Sequence, residues 1–156
     1  MNTILIKPLA ESQIDAVTAL FDAQLREHGI TVNADGLRAT ARMVMADPRY
    51  GFMLVASADD GRVVGVAYAS TILSLEHGGV SGWLEELYVP PECRGAGIGT
   101  RLLDEVITQA RKLGWRAIDL EVDGAHQRVI PFYLRHHFRA HSRMRFYRPL
   151  GDDLPA

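Results

Sequence analysis

Up to residue 89, the apolar residues follow two periods, one typical of strands and one typical of helices. Runs of apolar residues or of residues with high β-propensity, bounded by turn residues, predict strands over 3–7, 52–57, 62–70 and 83–89. Between the first two strands, apolar residues recur every three or four positions and predict two amphipathic helices. The first helix ends near Gly29, and the second is capped by Asn33 or Asp35 and stops before Pro48.

A third helix joins two of the predicted strands. It spans 97–113 and ends at Gly114, a good C-terminal stop, and a strand over 115–122 follows it. Strands joined by a helical crossover run parallel in one sheet. The strands at 83–89 and 115–122 are therefore expected to form a parallel pair.

The C-terminal part of the chain predicts one more helix and two more strands. The helix lies near 126–136, and the terminal strands reach up to 138–142 and 144–149. Together with the preceding elements, this pattern predicts a single mixed α/β domain over residues 1–156, a length at which a chain buries a substantial core.

Composition excludes several classes of protein. Apolar residues make up 47% of the chain, but no run approaches the roughly 18 to 20 needed to cross a bilayer. The N-terminus lacks the pattern of a signal peptide, so no membrane partner is expected. The single cysteine, Cys93, excludes an internal disulfide and fits a reducing cytosol, which predicts a cytoplasmic location.

Charge is small in total and unevenly distributed. The net charge of −2 gives no case for a nucleic-acid surface. Residues 1–90 hold 6 basic and 11 acidic side chains, a net −5, whereas residues 91–156 hold 11 and 8, a net +3. A polyanionic ligand would suit the second part of the chain.

The strand at 83–89 runs into a glycine-rich turn that opens the third helix. Gly95, Gly97 and Gly99 allow a tight turn and the close approach of a ligand, and the first amides of the helix lack intrahelical acceptors. Such amides at the positive end of a helix dipole form an anion site, best suited to phosphate. The spacing fits neither a P-loop, since no lysine follows the glycines, nor a dinucleotide-binding turn, since Thr100 replaces the third glycine.

The motif that does fit is Arg94-x-x-Gly97-x-Gly99, directly after a strand ending in Glu-Leu-Tyr-Val. In this motif the sequence resembles the GNAT superfamily of acetyl-CoA-dependent N-acetyltransferases, whose pyrophosphate loop has this spacing. The loop motif alone is only moderately specific for this family. A second family motif at the expected distance along the chain strengthens the resemblance.

That second landmark of the family lies near the C-terminus. Phe132, Tyr133 and Phe138 are in register with the family run Asn-x-x-Ala-x-x-Phe-Tyr-x-x-x-Gly-Phe. His126 replaces the usual Asn, and a neutral imidazole still offers one donor and one acceptor. His137 replaces the usual Gly; because His tolerates the left-handed conformation better than most residues, we expect it to end the helix there.

The resemblance implies a fold and a co-substrate. The fold is α/β, with a central, mostly antiparallel sheet of about seven strands, a splayed parallel strand pair and about four helices. The co-substrate is acetyl-CoA, and no metal is implied. The residues expected to bind it lie on the strand end, the glycine-rich turn and the last helix: Leu87, Tyr88, Val89, Arg94, Gly95, Ala96, Gly97, Ile98, Gly99, Thr100 and His126.

The implied reaction is direct attack of a primary amine on the acetyl group in a ternary complex. An aliphatic amine has a pKa near ~10.4, so about one molecule in two thousand is neutral at pH 7 and the enzyme needs a base. Glu85 and Glu86 are the candidates. Since side chains alternate along a strand, we expect only one of them to face the thioester. The resemblance favours Glu85, with Glu86 as the alternative.

Tyr133 is implied as the proton donor to the departing thiolate. At reference pKa values of about 10 for a phenol and about 8.5 for a thiol, this transfer is uphill by about 2 kcal/mol. It therefore requires a cleft that raises the thiolate's pKa by desolvation. A strand amide near Leu87 or Tyr88 would stabilise the oxyanion.

The sequence leaves alternatives open for the oligomeric state, the acceptor and the function. The apolar Phe146 and Tyr147 on the predicted terminal strands favour a homodimer, with a monomer as the alternative. The acceptor amine could belong to a small molecule or to a peptide. The competing function is a CoA-binding sensor or partner module without catalysis.

Overall fold

A computed structural model describes residues 3–151, which contain five strands and four α-helices. The strands are β1 (Leu5–Pro8), β2 (Gly51–Ser57), β3 (Val63–Ser74), β4 (Gly79–Tyr88) and β5 (Ile118–Asp119). The α-helices are α1 (Ile14–Glu27), α2 (Ala34–Ala46), α3 (Ile98–Lys112) and α4 (Ile130–Arg135). Short 3-10 segments lie at Glu11–Gln13, Pro48–Tyr50, Pro91–Cys93 and Gly124–Val129.

The described chain divides into two compact units. The first unit runs to Leu120 and contains the whole sheet together with α1, α2 and α3. The second unit begins at Glu121 and contains α4. None of the helices within residues 3–151 is both long enough and apolar enough to span a membrane.

The sheet has the order β1-β2-β3-β4-β5. Its first four strands are antiparallel neighbours, and β5 joins β4 in parallel after the α3 crossover. The mostly antiparallel sheet with one parallel pair is therefore confirmed. Helix ends also agree with the sequence: the Asn33 side chain accepts from the Asp35 amide at the start of α2, and Gly114 has φ 71° after α3.

The parallel pair is short because β4 and β5 diverge. Their ladder consists of Gly82 with Ile118 and Trp83 with Asp119, and beyond it β4 pairs only with β3 in the described chain. Gly82 is required at the pairing point, because a Cβ there would lie 1.9 Å from a ring atom of Trp115. The splay predicted for this pair thus begins directly after Trp83.

The core lies on both faces of the sheet. A buried cluster joins α1 and α2 to one face, and its members are Leu9, Ile14, Val17, Phe21, Ala41, Val44, Met53, Val55, Val66 and Tyr88. Gly65, next to Val66, faces the other side, where a Cβ would lie 2.9 Å from the Leu102 side chain of α3. Helices therefore cover both faces of the sheet, with α1 and α2 on one face and α3 on the other.

Three predicted strands are shorter than expected or not formed. The strand at 115–122 is reduced to Ile118–Asp119, and neither 138–142 nor 144–149 is a strand. The described sheet therefore has five strands and not about seven. The physical reason lies in composition: residues 138–149 contain no Val, Ile or Thr and are rich in Arg, which repels across neighbouring strands.

The second unit has its own local order. The Asp123 side chain accepts from the Ala125 amide at 2.6 Å and starts the 3-10 segment that precedes α4. His137 has φ 65°, so a histidine in the left-handed conformation ends this helical region, as predicted. The ring of Tyr133 makes edge contacts with Phe132 and Phe138, at centroid distances of 5.1 Å and 5.6 Å.

Candidate active site

An extra residue in β4 places two carboxylates on one side of the sheet. In the ladder with β3, Ala69 pairs with Leu84 and Tyr68 pairs with Glu86, so Glu85 is the additional residue of a β-bulge. A bulge interrupts the alternation of side chains and re-aims them. Glu85 and Glu86 consequently line the same pocket, so the expectation that strand alternation separates their side chains is wrong. Which of the two faces the thioester stays a prediction.

The pocket that contains both carboxylates belongs entirely to the first unit and has a volume of about 160 Å³. Residues from α1, α2, β2, β3 and β4 surround it: Phe21, Leu25, Leu37, Thr40, Met53, Tyr68, Glu85 and Glu86. We call it the acid pocket. Most of its wall is apolar, which favours a dry, low-dielectric interior around the two acids.

The environments of the two carboxylates differ. Burial, together with the charge of Glu85, raises the pKa of Glu86 to about 7. Glu85 is exposed, and its Oε1 accepts a hydrogen bond from Ser70 Oγ at 2.9 Å. At neutral pH, Glu86 is therefore able both to accept and to release a proton.

Tyr68 completes the polar part of the acid pocket. Its hydroxyl donates to the Tyr50 carbonyl at 3.3 Å. Burial and the charge of Glu85 raise the pKa of Tyr68 above its usual value, so the phenol is neutral over the physiological range.

The glycine-rich turn follows β4 after the short 3-10 segment Pro91–Cys93. Gly95 and Gly97 have φ values of 83° and 77°, so both positions require glycine, and α3 begins at Ile98. Within residues 3–151, the amides from Gly95 to Thr100 find no hydrogen-bond acceptor, and no side chain caps α3. These amides at the positive end of a 15-residue helix have the arrangement that binds phosphate.

Arg94 connects the turn to the end of α1. Its Nε donates to the Val89 carbonyl at 2.8 Å, and its NH2 group donates to Glu27 Oε1 at 3.2 Å. The hydroxyl of Tyr88 donates to the same Glu27 oxygen at 2.9 Å, and the Arg94 guanidinium lies 5.5 Å from the Tyr88 ring centroid. Sequence patterns identified Arg94 and Tyr88 but not Glu27, which lies more than sixty residues earlier and carries no motif.

The last residues of β4 already make side-chain contacts. The Leu87 carbonyl accepts a long hydrogen bond of 3.5 Å from Gln24 Nε2. The buried Gln24 Oε1 has no partner in the described part of the chain. A ligand that paired with Leu87 would therefore replace a weak contact rather than a strand ladder.

Two predicted site residues lie in the second unit. Tyr133 is part of α4, and His126 lies in the preceding 3-10 segment, where its Nδ1 is 3.0 Å from Asp123 Oδ2. The structure therefore brings Glu85 and Glu86 into one pocket and residues 87–100 into one continuous strand end and turn. The roles of Tyr133 and His126 stay predictions.

A model of the acetyltransferase (GNAT) family matches residues 17–138. A mycothiol acetyltransferase from Propionibacterium freudenreichii subsp. shermanii is 39% identical over 97 residues, which are 62% of this chain and 30% of that protein. A glucosamine 6-phosphate N-acetyltransferase from Trypanosoma brucei brucei is 33% identical over 84 residues, 53% of this chain and 55% of that protein. The chain thus spans about a third to about half of the length of these two relatives.

Solved structures extend the similarity over nearly the whole chain. An aminoglycoside N-acetyltransferase in complex with CoA superposes with a TM-score of 0.82 at 19% identity, covering 97% of both chains. An acetyltransferase from Trypanosoma brucei has a TM-score of 0.74 at 25% identity and covers 94% of this chain and 100% of that chain. At 19% identity the first similarity concerns the fold alone.

Proposed function

Because the chain belongs to the GNAT acetyltransferase family, we propose that it transfers the acetyl group of acetyl-CoA to a primary amine. One observation carries this proposal. The single strand β4 holds the two carboxylates of the acid pocket and leads, through the short 3-10 segment, into a turn whose amides have no acceptor in the described chain. A ligand diphosphate at the turn and an amine in the pocket would therefore both be held near the C-terminal end of one strand.

The co-substrate is bound through its diphosphate. The amides from Gly95 to Thr100 donate to the phosphate oxygens, and the dipole of α3 adds favourable electrostatics. Arg94 lies at the start of the turn, where a guanidinium adds charge-assisted hydrogen bonds. The backbone from Leu87 to Val89 and the side chain of His126 are the further contacts that we propose for acetyl-CoA.

Glu86 is the proposed base. The amine nitrogen attacks the carbonyl carbon of the thioester, and its proton passes to the Glu86 carboxylate, directly or through a water. A base whose pKa lies at about 7 combines a useful deprotonated fraction with good proton affinity at neutral pH. Glu85, which accepts a hydrogen bond from Ser70, provides a second carboxyl group beside the incoming amine.

Collapse of the tetrahedral intermediate completes the transfer. An amide near Leu87 or Tyr88 stabilises the oxyanion, an interaction often worth about 3 kcal/mol. The carbon–sulfur bond then breaks, the amide product forms, and the thiolate of CoA takes a proton from Tyr133. The Tyr133 ring is held by Phe132 and Phe138, so replacing only its hydroxyl leaves the surrounding packing intact.

The test is a thiol-release assay with acetyl-CoA and a panel of primary amines. We expect release of free CoA that depends on both substrates, with acetylated amine detected by mass spectrometry in equal amount. Reactions without amine control for hydrolysis. Protein that is stabilised against thermal unfolding by CoA but releases no thiol with any amine would contradict the proposal and favour the non-catalytic CoA-binding module.

A further inference from the structure

We infer that the acceptor is a primary amine attached to a compact, uncharged apolar group of about the size of a benzene ring. This inference rests on the proposed acetyl transfer and names the substrate class of the same site. It rests on the composition, the hydrogen bonding and the volume of the acid pocket. All of the residues that line this pocket belong to the first unit.

The walls of the acid pocket offer contacts to hydrocarbon. Phe21 and Leu25 from α1, Leu37 from α2 and Met53 from β2 contribute apolar side chains. Phe21 and Met53 are also members of the buried core cluster, so these walls are part of a rigid packed interior. An apolar substituent beside the amino group would extend that core.

The neutral polar groups of the pocket have their protons engaged. Thr40 Oγ1 donates to the Gly36 carbonyl at 2.9 Å, and the Tyr68 hydroxyl donates to the Tyr50 carbonyl. Only the two carboxylates are left as strong polar partners, and they accept hydrogen bonds without donating them when ionised. A sugar with several hydroxyl groups would therefore leave its acceptors unpaired wherever they contact the apolar walls of the pocket, which costs binding free energy.

Among residues 3–151, no basic side chain lines the acid pocket. The arginines on the nearby helix α2 are already paired: Arg38 Nε lies 2.8 Å from Asp15 Oδ1, and Arg42 NH2 lies 2.8 Å from Glu11 Oε1. A phosphate or carboxylate on the acceptor would face two acids and no cation. This arrangement disfavours both sugar phosphates and amino acids with a free α-carboxylate.

The volume of the acid pocket matches that of one small apolar ring. An apolar cavity of roughly 150 Å³ lined by Leu, Ile and Phe holds one benzene molecule. The acid pocket, at about 160 Å³, accommodates a group of the same size. A bulky multi-ring aminoglycoside would fill it with only one of its parts and leave that part poorly matched.

The decisive comparison uses 2-phenylethylamine and phenylalanine, which differ only by the α-carboxylate, on the wild-type protein. We expect kcat/KM for acetyl transfer to be at least about 100-fold higher for 2-phenylethylamine, because the unpaired carboxylate opposes binding beside two acids. We expect kcat/KM for ethylamine, which lacks the ring, to be lower than that for 2-phenylethylamine by a similar factor. Glucosamine 6-phosphate and kanamycin complete the panel as polar acceptors.

Two matched variants test whether the acid pocket causes the preference for 2-phenylethylamine over phenylalanine. Leu37→Arg adds a cation to the lining, whereas Met43→Arg adds the same cation on an exposed part of α2 outside it. We expect Leu37→Arg to lower the preference for 2-phenylethylamine over phenylalanine at least tenfold and Met43→Arg to leave it unchanged. Thermal unfolding of both variants checks that they are folded.

The outcomes distinguish failure of the inferred acceptor class from failure of the proposed acetyl transfer. Efficient turnover of glucosamine 6-phosphate, kanamycin or phenylalanine, with 2-phenylethylamine a poor substrate, would overturn the inference and leave acetyl transfer intact. Equal effects of Leu37→Arg and Met43→Arg on the preference would also overturn it. Absence of thiol release with every amine would overturn the proposed function and this inference with it.

Discussion

Glu86 is the residue on which the proposed chemistry depends most directly. Burial and the neighbouring Glu85 raise its pKa to about 7, so its charge changes within the range in which the protein would work. Sequence reasoning identified both glutamates and, from regular alternation, expected only one of them to face the thioester. The family resemblance favoured Glu85. The bulge could not be predicted, since no glycine or other local signal in Glu-Glu-Leu-Tyr marks it.

A pH profile tests the role of Glu86. The base must be deprotonated to accept the proton of the amine, so we expect kcat/KM to rise with pH and to level off above about 7. Glu86→Gln should lower kcat/KM by a factor of about 100 or more and remove this acidic limb. Glu105→Gln, on α3 and outside the pocket, is the matched control. An acidic limb that persists unchanged in Glu86→Gln would assign it to another group.

At the scale of elements, helices were easier to predict than strands. Each of α1, α2 and α3 carries an apolar stripe whose period depends only on its own sequence, and their ends have local capping signals. A strand also needs a neighbouring strand to pair with. Whether short runs such as 115–122 and 138–149 form strands is therefore not determined by their own residues alone. Turn geometry was predicted where glycine demands it, at Gly95 and Gly97.

The contact between α1 and the glycine-rich turn gives a prediction at this scale. Arg94→Ala should weaken CoA binding about tenfold, because a charged hydrogen bond is worth roughly 1.5 to 3 kcal/mol. Glu27→Gln should weaken it less than threefold, since Arg94 retains its hydrogen bond to the Val89 carbonyl. Isothermal titration calorimetry with CoA measures both effects. Equal losses in the two variants would show that Arg94 acts only by positioning the turn through Glu27.

At the scale of the molecule, the acid pocket combines five separate elements. Its lining residues extend from Phe21 to Glu86, and most of them entered the sequence analysis only as apolar periodicity. The family landmarks predicted the anion site and the acids because each is a compact local motif. The size and composition of the acid pocket depend on long-range packing, so the sequence predicted neither of them.

The buried acid also affects the stability of the whole fold. Glu86 ionises near 4.5 in an unfolded chain and near 7 in the folded protein, so the folded state holds the extra proton between these values. Raising the pH through this window therefore favours unfolding. Since one pKa unit corresponds to about 1.4 kcal/mol, the loss approaches about 3 kcal/mol at pH 8.

Denaturant unfolding at several pH values measures this contribution. We expect the free energy of unfolding of Glu86→Gln, relative to the wild type, to increase as the pH rises from about 4.5 to 8, because the variant has no charge to bury. Tyr68→Phe, which removes a neutral phenol from the same pocket, should show no such trend. Parallel curves for the wild type and Glu86→Gln would mean that Glu86 ionises normally in the folded protein.

The bulge in β4 makes residue 85 dispensable to the architecture. Every rung between β3 and β4 already has two members without it, because Leu84 and Glu86 face consecutive residues of the opposite strand. A chain shortened by this one glutamate would form an uninterrupted hairpin and keep Tyr88 in the core. The second carboxylate is thus an addition to a complete scaffold, and a lineage could gain it by a single-residue insertion or lose it by a single-residue deletion without rebuilding the sheet.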